Sequence, residues 1–359
     1  MMQTQNVAPD PVILSLGVAL PNNIITRECY LDFINQQGIS GKQKELLERI
    51  VHRSTIEQRY SILEARTAEG QVLPFLRNAP TLEQRMIEYE RLIPELAEKA
   101  ARNCLAQTSV SLSSITHLVT VSCTGFSAPG WDVSLIERLG LSHTTQRVHV
   151  GFMGCHGAIN GLRVANGLAR LSPNANVLLV CAESCSLHYQ PKESSLYLPN
   201  ILFGDAAAAA LIGPASSAGN NPKPIRATGS CVFPEHKNEM TWRITNQGFR
   251  MTLESTVPVI IEEKLGENVD AFLAENNLSK NDIKQWAIHP GGPKILDACR
   301  KALSLTEEDL QISRRILSQI GNVSSPTLLF VLNGLFQKTG PTLLLAFGPG
   351  LTVEMALLG

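Results

Sequence analysis

Hydrophobic and polar positions along the chain follow two different periods. Residues 12–18, VILSLGV, are mostly apolar and predict a first strand. Residues 28–34 and 42–51 repeat apolar side chains every three to four positions, which predicts amphipathic helices. Thr81 with Gln84 is a capping-box pattern opening a further helix, which Pro94 is expected to interrupt before it resumes to Leu105. The segment from Thr55 to Pro80 has no clear period. Residues 117–122 and 177–181 predict strands, the second buried on both faces, with a short helix over 133–139 between them. Residues 208–213, AAALIG, predict another strand after the turn Phe203-Gly204-Asp205.

Residues 214–224, PASSAGNNPKP, interrupt this order and read as a linker. Beyond them the pattern restarts. A strand over 285–288 runs into His289-Pro290-Gly291-Gly292-Pro293, and helices follow over 294–303 and 306–317, the second capped by Thr306. Gly321-Asn322-Val323-Ser324-Ser325-Pro326 opens another helix, with Ser325 as N-cap and Pro326 at the first position. Strands over 342–347 and 351–358 close the chain. The halves echo each other: Phe203-Gly204 precedes AAALIG, and Phe347-Gly348 precedes EMALLG. Two copies of one α/β unit are therefore expected, residues 1–213 and 225–359, with helices covering layered sheets.

Chemistry concentrates where strands meet helices. In VHVGFMGCHGAINGLRVANGLAR, residues 148–170, an extended run reaches Gly151 and Gly154, expected to make a tight turn. From Cys155 the apolar residues Ala158, Leu162, Ala165 and Ala169 take helical spacing. A thiol at the start of a helix meets free N–H groups and the positive dipole end, which lowers its pKa. Cys155 is thus either an activated nucleophile or a buried structural thiol. His289 and Asn322 occupy similar junctions in the second half. Cys, His and Asn together suit acyl transfer from a thioester, with the last two donating to an oxyanion, and also suit a papain-like hydrolase.

Composition narrows the classes. With 359 residues, 44% of them hydrophobic, the chain can bury a large core. A net charge of -1 and no basic block argue against nucleic acid or an anionic membrane as partner. No apolar run is long enough to span a membrane, and the first residues lack the pattern of a signal peptide. Eight scattered cysteines read as reduced thiols of a cytoplasmic protein. Cys181, Cys185 and His188 have ligand-like spacing but no fourth ligand, so no metal is expected.

The chain resembles type III polyketide synthases, the chalcone-synthase-like branch of the thiolase superfamily. Five stretches in order carry the resemblance: GFMGCHGAINGLRVA around Cys155, LFGD at 202–205, HPGGPKILD at 289–297, GNVSSPT at 321–327 and FGPG at 347–350. It implies an αβαβα thiolase-like fold, a homodimer, no cofactor, and a Cys155–His289–Asn322 set acting on malonyl-CoA and a starter acyl thioester. The starter implied is fatty or β-ketoacyl, the product an alkylresorcinol or alkylpyrone, and an upstream acyl carrier protein is a candidate donor. Phe203 matches an aromatic gate. Met251 stands where a second gate is usually Phe. Cys123, Ala128, His188, Trp242 and Ser324 match cavity positions, Trp242 being bulky where plant enzymes have Gly. Arg53, Gly291, Gly292 and Lys294 are the CoA candidates, whereas Glu57 stands where a basic residue is usual. A ketoacyl-ACP synthase III-like condensing enzyme and a silent acyl-CoA-binding homologue are the alternatives.

Overall fold

The computed structural model describes residues 10–191, 193–217 and 223–359. Strand β1 (Val12–Ala19) enters the molecule centre, and a ribbon of β2 (Asn23–Thr26) and β3 (Gln58–Ser61) frames α1 (Arg27–Gln36) and α2 (Gly41–Arg53). After α3 (Pro74–Arg77) and α4 (Leu82–Leu105) come β4 (His117–Ser122), α5 (Trp131–Leu139), β5 (Gln146–Gly151), α6 (Gly157–Arg170), β6 (Val177–Ser184), α7 (Tyr197–Leu202) and β7 (Asp205–Gly213). The second half supplies β8 (Lys223–Val232), a ribbon of β9 (Met240–Thr245) and β10 (Gly248–Leu253), and α8 (Val257–Glu275). It closes with β11 (Gln285–Ile288), α9 (Pro293–Leu303), α10 (Gln311–Ile320), α11 (Pro326–Leu335), β12 (Thr342–Gly348) and β13 (Thr352–Leu358).

Nine strands pair in the order β11-β12-β13-β8-β1-β7-β6-β4-β5. The row has two wings joined where Val12 and Ile13 meet Pro224 and Lys223, with the Ile225 N–H donating to the Pro11 carbonyl (2.9 Å). Each wing repeats one rule. In the first, β4 is parallel to β6, and β6, β7 and β1 continue antiparallel. In the second, β11 is parallel to β12, and β12, β13 and β8 continue antiparallel. The echoing stretches AAALIG and EMALLG fall on β7 and β13, the equivalent strands, so the duplication read from the sequence is a duplication of topology.

Side-chain alternation along the strands divides the core into layers. Val119, Val121, Leu344 and Ala346 face an inner core built around α6 and α11. Leu118, Leu343 and Leu345 face outward. Helix α4 covers the first wing over β1, β6 and β7, and Phe272 of α8 packs over Gly229 of the second. The result is helix, sheet, helix pair, sheet, helix, the expected αβαβα order. Residues 206–210 of β7 are all alanine because α4 and α11 approach the strand from opposite faces.

Several element boundaries differ from the sequence reading. Helix α4 is continuous through Pro94, which is buried against the sheet with Ile93 and Ala97; that packing outweighs one missing backbone hydrogen bond. The helix expected over 306–317 begins only at Gln311, because Thr306 caps a separate turn by accepting from the Asp309 N–H. Ser325 does not cap α11 with its side chain; its hydroxyl donates to Glu183 instead. Of the expected linker, residues 218–222 lie outside the described residues, as do residues 1–9 of the N-terminal stretch. No helix among the described residues is long and apolar enough to cross a membrane.

Candidate active site

β5 delivers the chain to a sharp turn in which Phe152 (φ 58°) and Gly154 (φ 75°) are left-handed. The turn is therefore made by Phe152 and Gly154, not by Gly151. Gly154 is also required sterically, since a Cβ there would sit 2.6 Å from Pro349 Cδ. Cys155 follows within a single 3-10 turn, Gly154–His156, before α6 begins. Its side chain is 7% exposed.

Asn322 is held by a second turn. Gly321 is left-handed (φ 73°), and its missing Cβ leaves room for the Leu202 carbonyl, which would be 2.7 Å away. That carbonyl accepts the Asn322 N–H (2.8 Å), and the Asn322 carbonyl accepts the Gly204 N–H (2.9 Å). The LFGD and GNVSSPT stretches are thus one hydrogen-bonded unit. The Ser324 N–H donates to Asn322 Oδ1 (2.8 Å), and Nδ2 donates to the Gly291 carbonyl (3.4 Å); held this way, both amide atoms stand 3.8 Å from Cys155 Sγ.

His289 ends β11, its N–H donating to the Leu345 carbonyl (2.8 Å). The ring is 1% exposed, and among the described residues neither nitrogen has a hydrogen-bond partner. Two unpartnered nitrogens on a buried ring mark a group left for something that enters the site. Cys155, His289 and Asn322 line one void of about 20 Å³, closed by Phe203, Met240 and Met251. The three residues predicted from separate junctions therefore meet.

Electrostatics depart from the expectation of a lowered thiol pKa. Burial pushes Cys155 up to about 12, against hydrogen bonds from Ser324 and Asn322 that act the other way. Burial likewise pushes His289 down to about 3, with charge on His156 adding to the effect. Each group alone is neutral in this dry pocket.

The other predicted residues divide. Phe203 and Met251 line all three inner voids, each of about 20 Å³. Cys123 and Ser324 sit beside Cys155, with Cys123 Sγ 3.2 Å from Ser324 Oγ. The Trp242 indole N–H donates to the Cys123 carbonyl (2.6 Å), and its ring meets His188 and Phe249 edge-on. His188 is a structural imidazole: Nε2 donates to the Thr124 carbonyl (2.7 Å) and Nδ1 accepts from the Phe249 N–H (3.1 Å). With both nitrogens engaged it has none for a metal. Ala128 is exposed and lines none of these voids. Arg53, Gly291, Gly292 and Lys294 all line an outer cleft of about 420 Å³. Gly291, Leu253 and Ile295 also line the void at Cys155, so cleft and void share a wall.

Three functional features escaped the sequence reading. Arg49, Leu46 and Ile50 of α2 line the outer cleft, where an amphipathic helix gave no hint of a ligand. Met240 closes the inner void. Glu183 is wholly buried behind Cys123, accepting from the Cys123 N–H (2.9 Å) and the Thr124 and Ser325 hydroxyls (2.8 and 2.5 Å). Burial raises its pKa. A lone acid at the end of the apolar run 177–182 was its signal.

Comparison with known proteins agrees with this geometry. The family model for the N-terminal domain of chalcone and stilbene synthases matches residues 1–216, and that for the C-terminal domain matches residues 225–359. Type III polyketide synthase C of Arabidopsis thaliana is 33% identical over 95% of this chain and 93% of its own. The Mycobacterium tuberculosis protein named alpha-pyrone synthesis polyketide synthase-like Pks18 is 32% identical over 96% of this chain and 89% of its own. The crystal structure of PKS-I from the brown alga Ectocarpus siliculosus superposes with a TM-score of 0.91 at 26% identity, covering 99% of both chains. The chain belongs to the chalcone and stilbene synthase family, the type III polyketide synthases, and is an enzyme of the acyltransferase class.

Proposed function

We propose that the protein condenses malonyl-CoA onto a starter acyl group carried on Cys155, using no metal or cofactor, and releases a cyclised alkylpyrone or alkylresorcinol. The observation that carries this is the convergence of Cys155 Sγ, the Asn322 amide and an unpartnered His289 ring on one void. The Cys155 proton passes to His289, and the thiolate attacks the starter thioester, expelling the CoA thiolate. Malonyl-CoA then enters through the outer cleft, where Arg49, Arg53 and Lys294 suit its phosphates. Loss of CO2 leaves an enolate whose oxygen accepts from His289 and Asn322; preorganised donors of this kind contribute about 3–4 kcal/mol each. The enolate carbon attacks the acyl-Cys155 carbonyl, the C–S bond breaks, and the thiolate returns.

A fatty or β-ketoacyl starter is supported by the apolar inner wall, delivered as a CoA thioester or by an acyl carrier protein. The name of the mycobacterial relative favours the pyrone. We further propose a homodimer formed at the free edge strand β5, where Phe126 (50% exposed), Phe152 and Met153 leave an apolar face open. Ala128, two residues from Phe126, would act at that face.

The test is incubation with malonyl-CoA and acyl-CoAs of increasing length, read by mass spectrometry. Wild type yields products two carbons longer per extension. Cys155→Ala yields none while keeping its fold, and Asn322→Ala loses malonyl decarboxylation more than starter loading. Retained product from Cys155→Ala would remove the assignment of the nucleophile.

A further inference from the structure

The residue after the nucleophile is another buried imidazole for which the condensation has no use. His156 is 2% exposed and turned away from the void that Cys155 lines. Its Nδ1–H donates to Asn160 Oδ1 (2.6 Å), one turn along α6. Asn160 Nδ2 donates to Glu354 Oε1 (3.1 Å) on β13, in the other half of the molecule. Glu354, itself buried, also accepts from Ser230 Oγ (2.9 Å) and pairs with Arg163, which reaches solvent. Among the described residues Nε2 of His156 makes no hydrogen bond of normal geometry, with the Pro349 backbone beside the ring. Gly348 lies flat against the ring: a Cβ there would be 2.3 Å from His156 Cδ2. The space at Gly348 is thus taken by the imidazole.

The place where this chain of bonds lands is informative. Glu354 pairs with Ala346 of β12. The preceding residue of β12, Leu345, supplies the carbonyl that holds the His289 N–H. The turn bearing Cys155 is a single 3-10 turn, with poor internal hydrogen bonding, and gains most from an outside anchor.

We propose that His156 is a positioning residue: with Asn160 and Glu354 it forms a buried strut tying the Cys155 turn to the strands that carry His289, and so sets where the sulfur stands in the site. The inference rests on the role given above to Cys155.

The test uses three variants of the full chain. His156→Phe keeps ring volume and removes the bond. Asn160→Leu cuts the strut in its middle while leaving the ring against Gly348, and serves if the first fails to fold. His156→Asn keeps an N–H near the Nδ1 position. The first two should lower kcat of condensation at least about tenfold with KM for malonyl-CoA within about threefold, the mark of misplaced reacting groups. Both should slow iodoacetamide alkylation of Cys155, mapped by peptide mass spectrometry, by a similar factor. His156→Asn should return both quantities to within about threefold of wild type. Wild-type alkylation rates in His156→Phe and Asn160→Leu would overturn the strut, as would His156→Asn behaving like His156→Phe. Because alkylation is read without any polyketide product, failure of the condensation reading and failure of the strut are separable.

Discussion

Cys155 and His289 are each held neutral by burial, and in the proposed mechanism they react only together. The thiol is pushed up to about 12 and the imidazole down to about 3. One proton moved between them exchanges two isolated neutral groups for an ion pair whose attraction is strong where water is excluded. The helix end that suggested an activated thiol is therefore insufficient by itself, because desolvation outweighs it; the sequence displays the junction but not the burial. His289→Ala should slow iodoacetamide alkylation of Cys155 at least about tenfold near neutral pH. Equal rates would mean that Cys155 ionises without the imidazole. His188 gives a second residue-level prediction. Burial pushes it down to about 3 from an ordinary 6.5. The unfolded chain takes up a proton below 6.5 that the folded chain refuses, so this contribution to stability is whole above pH 6.5 and declines toward pH 3. The slope is about 1.4 kcal/mol per pH unit for one group. Asp205, pushed up to about 6 by burial, acts in the opposite sense between its unfolded value and pH 6. The informative comparison is thus between variants: His188→Gln should melt with a shallower dependence on pH from 6.5 to 4 than wild type. Parallel curves would assign the acid loss to other groups.

At the scale of elements, the strands and most helices were legible because each meets a core on one or both faces. The boundaries were less legible, because side chains there had competing partners. Ser325 looked like a cap, yet a buried carboxylate on β6 takes its hydroxyl. Pro94 looked like a break, yet the α4 face around it is fully packed. The two functional turns were legible through glycine. Gly321→Ala would force a left-handed alanine whose Cβ is 2.7 Å from the Leu202 carbonyl, at a cost of about 1–3 kcal/mol. Thermal melting should show the loss, and malonyl decarboxylation should fall further than starter loading because the Asn322 amide moves with the turn. Unchanged decarboxylation would separate the turn from the site.

For the whole molecule, the duplication was legible in the echoing strands, and convergence of Cys155, His289 and Asn322 follows from it: α6 and α11 open side by side between the two wings. Cavity shape was not legible. Inside Phe203 and Met251 the space is divided into voids of about 20 Å³ each, against about 420 Å³ in the outer cleft. Under the proposed function, room for a growing chain would come from Met240 and Met251, since Trp242, His188 and Phe249 are held by hydrogen bonds and ring contacts. Trp242→Gly should therefore lengthen the products or widen the range of starters accepted by the purified enzyme; an unchanged product profile would make Trp242 mere packing. The most direct measurement is of the acyl-enzyme itself. Intact-protein and peptide mass spectrometry after incubation with an acyl-CoA should find one acyl group on Cys155, discharged into a longer cyclised product when malonyl-CoA is added. An acyl group found elsewhere, or product formed with Cys155 unmodified throughout, would contradict the account.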